Sequence, residues 1–182
     1  MSYFKATIDE LTFKAAKKNK TTAQRKIYDL YSRSVYNLSL RMLNNEADAL
    51  DITQDVFIKV FSKVEQCKSL ELFGIWVRKI TINLSLSFLK KNAKLITNIN
   101  FKEKTIISNP VEITSSLEYA LSQLPLVSRT ILWLYEVEGL SHQEIADNYG
   151  KTVSFSKTHL SRAKSLALSY LTTKGGGYEA IK

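Results

Sequence analysis

The chain has 182 residues, with 26 Lys/Arg against 17 Asp/Glu, a net charge of +9 and a pI near 9.5; this favours an anionic partner, nucleic acid before membrane. A single cysteine, Cys67, excludes an internal disulfide and a metal site shared between thiols, and fits a reducing compartment. The opening MSYFKATIDE lacks the cationic region and apolar run of a signal peptide, and no stretch approaches the roughly 18 apolar residues of a spanning helix, so a cytoplasmic or nuclear protein without membrane insertion is expected.

Only 6 Gly and 2 Pro interrupt a chain that is 45% hydrophobic, so packed helices are expected almost throughout. Thr7-Ile-Asp-Glu10 has the reciprocal capping pattern and predicts a helix over 8–18, followed by a polar break at Asn19–Thr22. From Gln24 to Leu43, Ile27, Leu30, Tyr31, Val35, Leu38 and Met42 recur at three- and four-residue steps. Beyond Asn44-Asn45 a helix is predicted from Ala47 to Val64, with Ile52, Val56, Val60 and Val64 on one stripe and Phe57 and Phe61 beside it. After a polar loop through Cys67–Glu71, Trp76, Ile80, Leu84 and Phe88 mark a further helix ending at Lys90-Lys91.

The stretch KNAKLITNINFKEKTIISNPVEITSS has no helical stripe. It reads as a linker between two helical domains, or as a strand pair built from LITNINF and TIISN. Charge falls along the chain: residues 1–90 carry a net of +6, residues 91–116 +2 and residues 117–182 +1.

Past the linker, Leu117, Leu121 and Leu124 mark a short helix stopped near Pro125. Val127, Ile131, Leu134 and Tyr135 mark the next, closed by Gly139 as a left-handed cap. Ser141-His-Gln-Glu144 is a second capping box. Ile145 and Ala146 face inward behind it, Gly150 permits a sharp turn, and Val153 plugs the angle to a helix whose inner side is Leu160, Ala163 and Ala167. That leaves Ser154, Phe155, Thr158, Ser161, Arg162 and Ser165 outward, with Lys157 and Lys164 on a flank. Small, polar and basic side chains on one helical face suit a major groove, the lysines meeting phosphates and the hydroxyls and Arg162 reaching base edges. A solvated hairpin is the plainer alternative. His142 and His159 lack any metal-ligand spacing and read as surface residues. The closing KGGGYEAIK is expected to be disordered.

Four stretches in order resemble small bacterial sigma factors of the extracytoplasmic-function group, the subunits that give RNA polymerase its promoter specificity. Ile27-Tyr-Asp-Leu-Tyr31 with Arg41-Met-Leu resembles the family's first helices. Asp48-Ala-Leu-Asp51-Ile-Thr-Gln54-Asp55-Val-Phe57 is similar to its polymerase-docking motif. Phe73-Gly-Ile-Trp76 with Lys79-Ile80 and Asn83 looks like its −10 segment. Leu124-Pro125, Arg129, Tyr135-Glu-Val-Glu-Gly139 and the helix-turn-helix resemble its −35 domain.

The resemblance implies an all-α fold of two small helical domains. Their expected extents are 1–91 for docking and −10 recognition, 92–116 for the linker, 117–172 for −35 recognition and 173–182 for the tail. It implies core polymerase binding through Asp48, Asp51, Gln54, Asp55 and Phe57, and −10 binding and melting through Phe73, Trp76, Arg78, Lys79 and Asn83. The −35 readers would be Ser154, Phe155, Lys157, Thr158, Ser161, Arg162 and Lys164. Core RNA polymerase and promoter DNA are the implied partners, with an anti-sigma protein as a third, and the compartment is the cytoplasm.

On the residues alone, Asp51, Gln54 and Asp55 form either a docking face or a solvated one neutralised by Lys59 and Lys63. Phe73 and Trp76, among Arg78, Lys79, Lys90 and Lys91, suit unstacked bases, although the spacing of Trp76 to Ile80 and Leu84 also points it inward. Leu50 stands where relatives often carry an acid, Phe155 is bulkier than usual at the start of a reading helix, and the linker is basic. Outside this family, a stand-alone helix-turn-helix regulator needs a dimerising stripe, and none is evident. An enzyme acting on nucleic acid needs a metal-binding carboxylate cluster or a nucleophile with its base. Asp48, Asp51 and Asp55 are the one acidic cluster, unaccompanied by His, Lys or a phosphate loop, so neither catalytic residue, metal nor cofactor is expected.

Overall fold

In the computed structural model the described residues are 4–97 and 116–175; within them every regular element is helical. The chain divides into two compact units, Met1–Leu95 and Ile96–Lys182.

In the first unit α1 spans Glu10–Lys17, α2 Thr21–Leu43, α3 Glu46–Lys63 and α4 Phe73–Thr97, with a 3-10 turn at Val64–Gln66. The cap of α1 is Asp9 and differs from the expected Thr7 box. The Asp9 carboxylate accepts from the Thr12 N–H at 2.7 Å and the Thr12 hydroxyl at 2.6 Å, because a helix starting at Glu10 leaves Thr7 too far back to reach an unpaired N–H. These bonds hold the Asp9 carboxyl below its ordinary pKa. Asn19 and Asn44 take left-handed φ of 55° at the two helix breaks, a conformation Asn tolerates better than most residues. Asn45 caps α3 by accepting from the Asp48 N–H at 3.0 Å.

The core of this unit joins Ile27, Tyr31, Val35, Leu38 and Met42 of α2 to Ile52, Val56 and Val60 of α3 and Val64 beyond it. Leu30, expected with the α2 stripe, is 40% exposed. The stripe on α4 is also displaced. Of the expected stripe only Ile80 is buried, together with Phe73, Val77, Thr81, Ile82, Ser85 and Leu86, whereas Trp76, Leu84 and Phe88 are only half-buried. Burial on more than one side of α4 blurs the single-face pattern on which the expectation rested.

The second unit holds α5 (Ser116–Ser122), α6 (Leu126–Glu136), α7 (His142–Tyr149) and α8 (Val153–Gly175). Ala120, Leu124, Ile131, Leu134, Ile145, Ala146, Leu160 and Ala163 form its core; Leu117 and Val127 are 52% and 36% exposed, and Ala167 is half-buried. Pro125 caps the start of α6, and Gly139 follows that helix with φ 69°.

The expected linker and tail are both shorter than predicted. Helix α4 runs past Lys91 to Thr97, and α8 continues to Gly175. The remainder of the linker, including most of the alternative strand pair, and residues 176–182 of the tail lie outside the described residues. Among the described residues no helix is long and apolar enough to cross a membrane, and no group of His, Cys, Asp and Glu could hold a metal ion.

Candidate partner and nucleic-acid surfaces

On α3 the Asn45 cap fixes the first turn, and the helical period then sends Ile52, Val56 and Val60 inward. Asp51, Gln54 and Asp55 project from the opposite side and are exposed. Lys59 and Lys63 form no ion pair with these carboxylates, so the acidic face is not neutralised from its own helix. Leu50 and Ile58 are 54% and 67% exposed on this side. The face is therefore acidic and apolar together, and the apolar part escaped sequence reading because an outward Ile has no pattern to announce it.

Asp48 is only half-exposed; burial first, and then the neighbouring Asp51 charge, raise its carboxyl above the ordinary value. Phe57 does not belong to the exposed face. It is 4% exposed and lies against Tyr28 at 4.7 Å and Phe61 at 5.8 Å. One helical turn after Thr53, it falls on the flank that α2 covers, so it supports the surface from below.

The segment Phe73–Asn83 separates into two sets. Phe73 is fully buried, packed against Phe13, Tyr31 and Trp76 with ring centroids 5.7–5.8 Å apart. It cannot meet a base without opening the core. Gly74 explains how Phe73 gets there. A Cβ at position 74 would stand 2.5 Å from the Phe4 carbonyl oxygen, so only glycine lets the start of α4 lie against that stretch of backbone. Trp76 is half-exposed, and Lys79, Asn83 and Ser87 are exposed at three- and four-residue steps from it. Arg78 falls outside that stripe and is half-buried.

In the second unit the Ser141 capping box is present. Ser141 Oγ accepts from the Glu144 N–H at 3.2 Å, and Glu144 Oε2 accepts from the Ser141 N–H at 2.9 Å. Gly150 ends α7 at φ 62°. Buried Ala146 and Ala163 leave room for α7 and α8 to pack. The outer side of α8 carries Ser154, Lys157, Thr158, Ser161, Arg162 and Ser165, all exposed, the last five bordering an open groove.

Two expected readers are occupied otherwise. Phe155 is half-buried, its ring 5.5 Å from Tyr149 and 4.4 Å from His159. Lys164 pairs with Glu136 of α6 at 2.6 Å. Both histidines also differ from the surface role expected of them. His142 Nδ1 is 3.0 Å from the hydroxyl of fully buried Ser156 and stacks on Tyr135 at 4.4 Å; His159 Nδ1 is 2.9 Å from Ser128 Oγ. These bonds tie α8 to α7 and to α6. Sequence reading missed them because each joins residues far apart in the chain.

With this geometry in hand, comparison with known proteins is specific. The family description of sigma-70 region 2 matches residues 27–95, and that of sigma-70 region 4 matches residues 114–166. The chain is similar to the RNA polymerase sigma factor SigV of Bacillus subtilis, at 32% identity over 78% of this chain and 87% of that one. It is similar to the ECF sigma factor SigE of Mycolicibacterium smegmatis at 29% identity, over 75% of this chain and 57% of the relative. The ECF sigma factor SigW of Bacillus subtilis aligns at 24% identity over 83% and 90%. Among solved structures, the sigma factor RpoE of Bartonella quintana, in complex with the anti-sigma factor NepR, shares the fold with a TM-score of 0.53 at 19% identity, over 81% and 96% of the two chains.

Proposed function

The chain belongs to the sigma-70 family, in its extracytoplasmic-function group, and from that premise we propose how its surfaces divide the work of transcription initiation. As a sigma factor it binds core RNA polymerase and directs it to promoters, and the polymerase supplies the chemistry of RNA synthesis. The α3 face of Asp51, Gln54, Asp55, Leu50 and Ile58 docks the polymerase, with Asp48 at its edge. Carboxylates meet cations of the partner there and the two apolar side chains are buried. The stripe Trp76, Lys79 and Asn83 takes the −10 strand, and Ser154, Lys157, Thr158, Ser161 and Arg162 read the −35 duplex. Phe57, Phe73, Phe155 and Lys164 hold these surfaces in shape. An anti-sigma protein is a further proposed partner, by likeness to the Bartonella complex.

The observation that carries this division is the contrast between the two matched regions: an exposed acidic and apolar face on α3, and an exposed polar and basic one on α8. Opposite characters suit opposite partners, one protein and one nucleic acid. Each DNA surface is small, so the free chain is expected to bind promoter DNA weakly; polymerase, by fixing both units, raises the effective concentration of each at its element. A stand-alone regulator would need neither.

The test is Asp51→Lys/Asp55→Lys. Exposed charges seldom contribute more than about 1 kcal/mol to stability, so the circular-dichroism melt should match wild type. At an interface the same change turns attraction into repulsion costing several kcal/mol, and pull-down of core polymerase and run-off transcription should both fail. Wild-type recovery of polymerase by the double variant would remove this face from the docking surface.

A further inference from the structure

The helices of the second unit meet at two imidazole rings, and each joint gathers three of them. At the first, His142 opens α7 and stacks on Tyr135 of α6 with ring centroids 4.4 Å apart; its Nδ1 lies 3.0 Å from Ser156 Oγ in α8. At the second, His159 of α8 sets its Nδ1 2.9 Å from Ser128 Oγ in α6. Its ring meets Phe155, which in turn lies against Tyr149 of α7. Both hydroxyls are buried, Ser156 at 0% and Ser128 at 1% exposure, and both imidazoles are half-buried. The helical period places Ser156 and His159 on the side of α8 away from the exposed stripe of Ser154 to Ser165.

Apolar packing fixes this arrangement only in part. Ala146 and Ala163 let the helices approach closely, but such small side chains interlock little, and the hydrophobic effect has no direction. The packed helices therefore resist separation more than they resist turning. A hydrogen bond has a narrow distance and angle, and a buried hydroxyl that loses its partner is costly. Each joint thus opposes rotation of α8. Binding groups must be held within about 0.5 Å and about 10–20° of their working geometry, so a small rotation matters. His159 stands three residues before Arg162, and Ser156 one before Lys157. The joints act on the very stretch of α8 that carries the readers.

We propose that His142 and His159 are positioning residues for −35 recognition: through Ser156 and Ser128 they fix the rotation of α8, and so the aim of Arg162 at a base edge. The inference rests on the reading that α8 reads the −35 duplex, and adds that selectivity is set in part from the buried side of the helix. Base and phosphate contacts respond differently to a turn of α8. A long lysine such as Lys157 still reaches a phosphate, whereas a bidentate pair on a base edge is lost. Loosening a joint therefore costs selectivity before it costs affinity.

The experiment uses holoenzyme assembled from core polymerase and the full chain. Binding is measured to the −35 duplex that wild-type holoenzyme selects from a library, and to a scrambled duplex of the same length. His142→Ala, His159→Ala, Ser156→Ala and Ser128→Ala each break a joint. His142→Asn and His159→Asn restore a donor and an acceptor near the Nδ1 position. The serine variants remove one oxygen each, so they carry the test should a histidine truncation unfold the unit, as read by a thermal melt. Each joint-breaking variant should lower the ratio of the two affinities about 5- to 150-fold, the equivalent of one base contact. Scrambled-duplex binding should stay at wild type, and the asparagine variants should recover most of the ratio. A wild-type ratio in both serine variants would overturn the proposal. So would equal losses on both duplexes that follow the melting temperature and that asparagine fails to reverse, the pattern of a fold weakened as a whole. Arg162→Ala is the control. An unchanged ratio there would mean that α8 does not read the −35 element, striking the parent reading and the proposal with it.

Discussion

Two segments of this chain have the composition of DNA readers, and they are built in opposite ways. On α8 the polar stripe Ser154 to Ser165 stands clear of a core made by Leu160 and Ala163, so composition and exposure agree. On α4 the segment Phe73–Asn83 is divided: its first aromatic is fully buried, its second is half-exposed, and its cations fall on different sides. The lesson is that an aromatic among cations does not announce which of the two meets the DNA. In the second unit polar bonds hold α8 in place, through His142–Ser156 and His159–Ser128; in the first, an aromatic cluster holds the start of α4.

The sharpest way to break this contrast is to truncate the two α4 aromatics separately. Phe73→Ala should cost the first unit about 3–5 kcal/mol, as for a buried aromatic, read as a large drop in its thermal midpoint. Trp76→Ala should leave the melt much closer to wild type while reducing permanganate reactivity of the opened −10 region. Equal stability loss in both would place Trp76 with the core. A smaller effect is expected at Gly74. Gly74→Ala drives a methyl group into the Phe4 carbonyl, and overpacking of this kind costs about 1–3 kcal/mol; hydrogen exchange should speed up in the segment around Phe4.

On α8 the comparison is between Arg162 and Lys164. With Arg162 in its proposed role at a base edge, Arg162→Ala should cost about 1–3 kcal/mol and relax selectivity at one position of a −35 library. Lys164→Ala removes a partner of Glu136 and should shift affinity by less than about 1 kcal/mol, with selectivity intact. A reversed order would mean that Glu136 releases Lys164 to DNA. Ser141→Ala removes one half of the capping box and should lower the stability of the second unit by about 1 kcal/mol. A melt unchanged by that substitution would mean that the fold of α7 owes nothing to its cap.

How much was legible beforehand follows from where the information lies. Two units, the eight helices of the described residues and the helix-turn-helix were readable because capping boxes, Asn and Gly breaks and apolar steps are local. Asp51, Gln54 and Asp55 were readable for the same reason, since spacing alone sets them opposite a stripe of Ile and Val. The Thr7 cap was misread because two capping residues compete within three positions, and the helix began at the one that supplied a carboxylate. The ends of α4 and α8 were set too early, since Lys90-Lys91 and the approach to the tail look like stops while their backbone remains helical.

By itself, then, the sequence determined the helical elements, the order of the family's motifs and the polarity of the α3 and α8 faces, because each depends on residues a few positions apart. Tertiary structure alone decided that Phe57, Phe73 and Phe155 turn inward, that Lys164 belongs to Glu136, and that the histidines fasten helices. Burial and pairing are settled by which helix arrives opposite a side chain, and that neighbour comes from elsewhere in the chain.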